Sequence, residues 1–196
     1  AAIRLPSVFL ESGFTADGLR ALLGPSAYAA LGRGEPVPAR RMLAGRSGAD
    51  VALAHLFVLG DAVPREDVAR HLPLDDLLAL GLVGGGAELR AVVDVRPYGE
   101  PDTDWYVVSD HGPDSSGHTV PEVAVDHVLG VGGASLTLAR ITPRAQVDRA
   151  LDLGTGCGVQ AVHLGRHALE IVATDRNRRG ITGSVRSRWL SRDGHS

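Results

Sequence analysis

The chain has 196 residues, 44% of them apolar and 22% charged, so it can bury a core and is neither wholly disordered nor collagen-like. Its single cysteine, Cys157, excludes an intrachain disulfide framework and points to a reducing, cytoplasmic location. All 20 basic residues are arginine; residues 1–175 hold 14 of them against 22 acids, and residues 176–196 hold 6 against Asp193 alone, so a body at −8 carries a tail at +5 and does not suit wrapping on a phosphate backbone.

No stretch reaches the roughly 18 apolar residues that a bilayer span needs. The best run, Val51 to Leu59, is short and contains His55. Residues 1–14 carry Arg4, Pro6 and Glu11, a poor secretory signal, so no membrane partner is expected.

In chain order, the pattern predicts a run of short helices over 15–80. Ala16 to Leu23 stops at Gly24, Pro25 to Leu31 makes a second piece, and Pro38 to Leu43 a third. Asp50 is placed to cap Val51 to Leu59, which is apolar nearly all round and reads as the buried helix. Pro64 suits a first helical position, with Glu66 and Asp67 near the positive end of the dipole and Val68 to Leu72 following. After Pro73, Leu74 to Leu80 makes another short helix. Gly84-Gly85-Gly86 reads as a turn, and Leu89, Ala91, Val93 and Val95 then alternate with Glu88, Arg90, Val92 and Asp94 as one strand. Trp105 to Ser109 is a second strand. Helices followed by a β-ribbon suggest a winged-helix-like unit over 1–110, with a linker rich in Gly, Pro, Ser and Asp over 111–126. His127 to Ala139 is a Gly-rich turn, including Gly132 and Gly133, that opens into a short helix ended by Pro143.

The informative segment is Arg149 to Leu164. A short apolar strand meets Asp152-Leu153-Gly154-Thr155-Gly156-Cys157-Gly158, and a helix follows. Glycines permit positive φ and close approach of a ligand to the backbone, and a helix start presents free N–H groups. A second strand, Leu169 to Thr174, ends in Asp175, 17 residues past Gly158, where a carboxylate can accept from both hydroxyls of a ribose. Dinucleotide enzymes use G-x-G-x-x-G to hold a diphosphate. Here the spacing is G-x-G-x-G, and Asp152 suits a ligand bearing a cationic amino group better than a diphosphate.

That combination resembles motif I of the class I S-adenosylmethionine-dependent methyltransferases. With the upstream unit and the Val128 to Ser135 turn, residues 15–177 look like actinobacterial methyltransferases related to the release-factor glutamine and nucleic-acid base N-methyltransferases. The resemblance implies an incomplete Rossmann-like unit over 127–177, with S-adenosyl-L-methionine held by Asp152, Leu153, Gly154, Thr155, Gly156, Cys157, Gly158 and Asp175. Gly132 and Gly133 would lie near the cofactor and the substrate opening. The implied activity is methyl transfer to a nitrogen of a protein glutamine or a nucleic-acid base. The family's Asn-Pro-Pro-Tyr or Asn-Pro-Pro-Phe signature is absent, and Asn177 is the one asparagine, so no catalytic residue is assigned. Residues 178–196 form an atypical Arg-rich tail, and the expectation is a truncated or frame-shifted C-terminal half.

Other features read more plainly. Cys157 is a small loop residue rather than a nucleophile, since no base stands near it in sequence. His163 and His167 stand four apart, but without a third ligand they read as a solvated or helix-packing pair, and no metal is expected. The last helix of the first unit holds Asp75 and Asp76 and no arginine, so it is not expected to grip DNA; substrate recognition or packing fits better. Trp105 and Tyr106 read as core rather than as a base-stacking platform. Ile181, Val185 and Trp189 share a helical spacing that Gly180, Thr182, Gly183 and Ser184 weaken, so disorder is expected there. An unpaired parallel strand edge after the second strand favours self-association. An inactive remnant or interaction module, and a nucleotide-dependent oxidoreductase, are the competing functional classes.

Overall fold

The computed structural model describes residues 5–100, 103–112 and 125–182. Most of the linker and the tail from 183, with Val185 and Trp189, lie outside the described residues. The chain is mixed α/β. No helix among the described residues is long and apolar enough to cross a membrane.

The first part is helical: α1 (Leu5–Glu11), α2 (Ala16–Leu31), α3 (Val37–Leu43) and α4 (Ala49–Leu53). Thr15 starts α2 because its hydroxyl oxygen accepts from the Gly18 N–H at 2.9 Å. The expected stop at Gly24 is a kink: Gly24 takes φ 76°, Pro25 lacks an N–H, and the helix resumes to Leu31. The single α-helix expected over Val51 to Leu59 is corrected to α4 followed by a π-helical turn, Ala54–Val58. Gly48, not Asp50, occupies the cap position, and Asp50 lies in the first turn. The wider turn carries His55, whose Nδ1 is 2.9 Å from Asp61, and Arg40 holds the same carboxylate at 2.9 Å. The rest of the run is buried with Phe9, Phe14 and Tyr106 in one core. Phe9 is its hub, with ring centroids 5.5 Å from Phe14, 6.0 Å from Phe57 and 5.1 Å from Tyr106, all edge-on.

Next come β1 (Val63–Pro64), α5 (Arg65–His71), α6 (Leu74–Ala79), β2 (Val83–Gly85) and β3 (Glu88–Ala91). The three strands form an antiparallel sheet in the order β1-β3-β2, with Val63 opposite Leu89 and Val83 opposite Ala91. Two boundaries move. Pro64 precedes α5 rather than opening it, and Gly84 and Gly85 belong to β2 rather than to a turn. Gly85 has φ 131°, and a Cβ there would lie 2.2 Å from the Glu88 carbonyl oxygen, so only glycine fits. The single strand expected from Leu89 to Val95 is broken at Val92. The burial alternation ends there too, since Val93, Asp94 and Val95 are all buried, and β4 (Asp94–Glu100) leaves the sheet and pairs antiparallel with β5 (Thr103–Ser109).

This hairpin has two working faces. Val95, Tyr106 and Val108 join the helical core. Their neighbours of opposite parity, Tyr98, Trp105 and Val107, face the second part of the molecule. That part is α7 (Gly133–Ile141), β6 (Val147–Leu153), α8 (Val159–Leu164) and β7 (Ala168–Thr174). β6 and β7 are parallel, with Leu151 opposite Val172 and Leu153 opposite Thr174. Among the described residues no third strand joins them.

Candidate functional site

The glycine loop sits where the ends of β6 and β7 meet the start of α8. Gly154, Gly156 and Gly158 have φ of 77°, 53° and 83°, a region that penalises any residue with a Cβ. At Gly154 and Gly156 a Cβ would meet nothing within 4 Å, so the outer side of the loop is open to a ligand. Asp152 is buried at the end of β6, and its Oδ2 accepts from the Thr155 hydroxyl at 2.6 Å. Leu153 is 82% exposed beside it.

The loop amides depart from expectation. Gly154 and Thr155 donate to the Thr174 carbonyl at 2.8 and 2.9 Å, Gly156 donates to Asp175 Oδ2 at 2.8 Å, and Gly158 donates to the Thr155 carbonyl at 2.8 Å. Four donors that a diphosphate would need are therefore taken by the Thr174 carbonyl at the end of β7, by Asp175 and by the Thr155 carbonyl. α8 itself is only six residues long. The arrangement is a poor anion cradle and a well-braced shelf.

Asp175 is the acceptor at its edge. Oδ1 accepts from the Asn177 N–H at 2.8 Å, and with the Gly156 N–H this holds the carboxyl below its ordinary range, against a smaller desolvation effect. Two oxygens carry about four lone-pair positions, so each can still accept from a further hydroxyl.

Cys157 is buried with Val107, Val128 and Val159, and burial pushes its thiol up. That is the environment of an inert packing residue. Gly132 takes the cap position of α7 and Gly133 begins it. Gln160 of α8 ties that helix to α7, its side-chain amide donating to the Ser135 carbonyl at 2.8 Å. Gly130 allows a close approach, since a Cβ there would lie 3.0 Å from Ser109 Oγ.

Of the two readings of the histidine pair, packing holds and solvation does not, since both side chains are buried; the shared helix is corrected, because α8 ends at Leu164 and His167 lies outside it. His163 Nε2 is 2.7 Å from the Tyr98 hydroxyl, with the Trp105 ring edge-on at 5.0 Å. Trp105 and Tyr106 are both core, but they serve opposite faces of the hairpin. No local pattern could signal the Tyr98–His163 contact, because its partners are 65 residues apart. Nor did it show that Asp110, Asp126, Asn177 and Arg179 converge beside Asp175. A cavity of about 190 Å³ opens there, lined by Val93, Val108, Asp110, Val128, Arg179 and Thr182 among others.

Residues 11–93 match the model of a family described as a domain of unknown function, DUF7059. The match runs from the end of α1 through β3 and stops before the hairpin and the glycine loop. No curated protein matches the chain.

Proposed function

We propose that the chain binds the nucleoside end of S-adenosyl-L-methionine at the Gly154–Asp175 site and belongs to an N-methyltransferase acting on a protein glutamine or a nucleic-acid base. The observation that carries this reading is the pairing of a positive-φ glycine loop with an ionised acid on the adjoining parallel strand, joined by the Gly156–Asp175 hydrogen bond. The residues fit the group: the loop is open at Gly154 and Gly156, and Asp175 is a charged acceptor suited to ribose hydroxyls. Asp152 braces the loop through Thr155 and adds the negative charge that suits a cationic amino group.

S-adenosylmethionine supplies, when bound, an electrophilic methyl on a sulfonium. This chain's contribution is binding and orientation, the kind of effect that holds an acceptor nitrogen in line with the breaking bond. The internal use of four loop amides favours this over a dinucleotide oxidoreductase, whose diphosphate needs those donors.

We read the first part as a winged-helix-like unit. Its support is connectivity: helix, β1, α5, α6, β2, β3, with sheet order β1-β3-β2. Asp75 and Asp76 on α6 disfavour a phosphate grip, so acceptor recognition or packing suits it better.

The test is calorimetric titration of the chain with S-adenosylhomocysteine. Wild type binds, and Asp175→Ala weakens binding about tenfold or more, the worth of hydrogen bonds to a charged group. A folded wild-type chain that does not bind overturns the reading, and binding of a nicotinamide dinucleotide instead would favour the oxidoreductase class.

A further inference from the structure

We propose that Asp110, at the end of β5, is a positioning residue for the ligand site: by holding Arg179 and the Val128 backbone it fixes the turn after β7 on the glycine loop and so aims Asp175. This rests on the nucleoside-binding reading above.

The links are continuous from the hairpin to the loop. Asp110 Oδ1 accepts from Arg179 Nη2, and Oδ2 accepts from the Val128 N–H at 2.8 Å. The Asp110 N–H returns a bond to the Val128 carbonyl at 2.9 Å. Arg179 also faces Asp126 at 3.6 Å, and the Asn177 side-chain amide donates to the Asp126 carbonyl at 2.7 Å. Within the turn, Asn177 Oδ1 accepts from the Arg179 N–H at 2.9 Å. The Asn177 N–H then donates to Asp175 Oδ1, and Gly156 donates to Oδ2. One carboxylate in the first part of the molecule is thus connected, through Arg179 and Asn177, to Oδ1 of the candidate ribose acceptor, whose Oδ2 is held by the glycine loop itself.

The turn needs such an anchor. It follows β7 directly and pairs with no strand among the described residues. Gly180, buried in that turn, stands so close to Asp175 that a Cβ would lie 3.0 Å from Oδ2 and 3.5 Å from the Gly156 Cα. A small drift of the turn therefore moves the carboxylate or the loop. The anchor itself adds little to global stability, because the Arg179 side chain is 48% exposed and water screens such pairs. The Asp110 side chain is 14% exposed, so its bonds to Arg179 and Val128 are directional contacts in a mostly dry place.

A role in positioning separates from a role in folding. In Asp110→Asn and Arg179→Ala, the affinity for S-adenosylhomocysteine falls about fivefold or more, the usual scale of coupling between sites. The Gly156 amide resonance of the ¹⁵N-labelled chain shifts, while the thermal midpoint stays close to wild type. Arg179→Lys restores part of the affinity, because an ammonium can still reach one carboxylate oxygen. Variants whose Gly156 resonance and affinity equal those of wild type overturn the proposal, as does a lowered midpoint with both unchanged. If wild type binds no S-adenosylhomocysteine, the cofactor reading fails, and the Gly156 resonance alone still decides whether Asp110 sets the loop.

Discussion

The helical part that ends at β5 buries its apolar side chains against one another, whereas the β6–α8–β7 part leaves Leu151, Leu153 and Leu169 in solvent and is tied down by named polar contacts. The first has a core that draws on every helix and on one face of the hairpin. The second has a four-residue satellite core, and one of its four members, Val107, is supplied by that same hairpin. Parallel strands ordinarily have both faces covered, and here the face bearing Leu151, Leu153 and Val172 is open among the described residues. Stability is therefore concentrated in the first part, and ligand chemistry is placed on the less self-sufficient second part. The hairpin joins them by sending alternate residues to each.

The largest effect that could break this comparison lies at Phe9. Phe9→Ala empties the hub of the aromatic cluster and is expected to cost about 3–5 kcal/mol in chemical denaturation. A loss below about 1 kcal/mol would show that the helical core is not the main store of stability.

A smaller, pH-dependent effect comes from Asp94, where burial outweighs Arg96 and pushes the carboxyl up from 3.8 to about 6. The native protein then keeps a proton that the unfolded chain releases. Stability is expected to fall as pH rises from about 4 to about 6, by up to about 3 kcal/mol, and Asp94→Asn flattens that slope. Asp61 works in the opposite sense. Burial raises its pKa, but hydrogen bonds from His55 and Arg40 prevail and leave it below 3.8. Its contribution is complete above that value and is lost as pH falls through the lower native one. Denaturation midpoints measured from pH 3 to 7 separate the two windows.

The smallest effect is expected at Leu153, 82% exposed on the open face. Leu153→Ser should change stability by no more than about 0.5 kcal/mol, measured in the same denaturation series. A large loss would mean that this face is covered in solution.

Much of the fold was legible in local chemistry. The Gly24 break, the buried Val51 to Leu59 run and the strand–loop–helix–strand unit follow from period, glycine and proline, which act over a few residues. So did the elements that hold Asp152, the three glycines and Asp175. The errors fall where a distant partner decided. Alternation from Leu89 to Val95 could not show that the chain changes sheets at Val92, because pairing is a choice of neighbour and not of period. The π-helical turn puts His55 against Asp61, itself held by Arg40 of α3.

The sequence by itself determined which residues can bend the backbone, which can bury and which can carry charge, because those are properties of single residues and short spacings. Only the tertiary structure decided that the loop amides turn inward, that Trp105 and Tyr106 serve different cores, and that Asp110 is linked to Asp175. These depend mainly on groups distant in sequence meeting in space, by hydrogen bonds at about 3 Å or by ring packing, and no local pattern encodes such meetings.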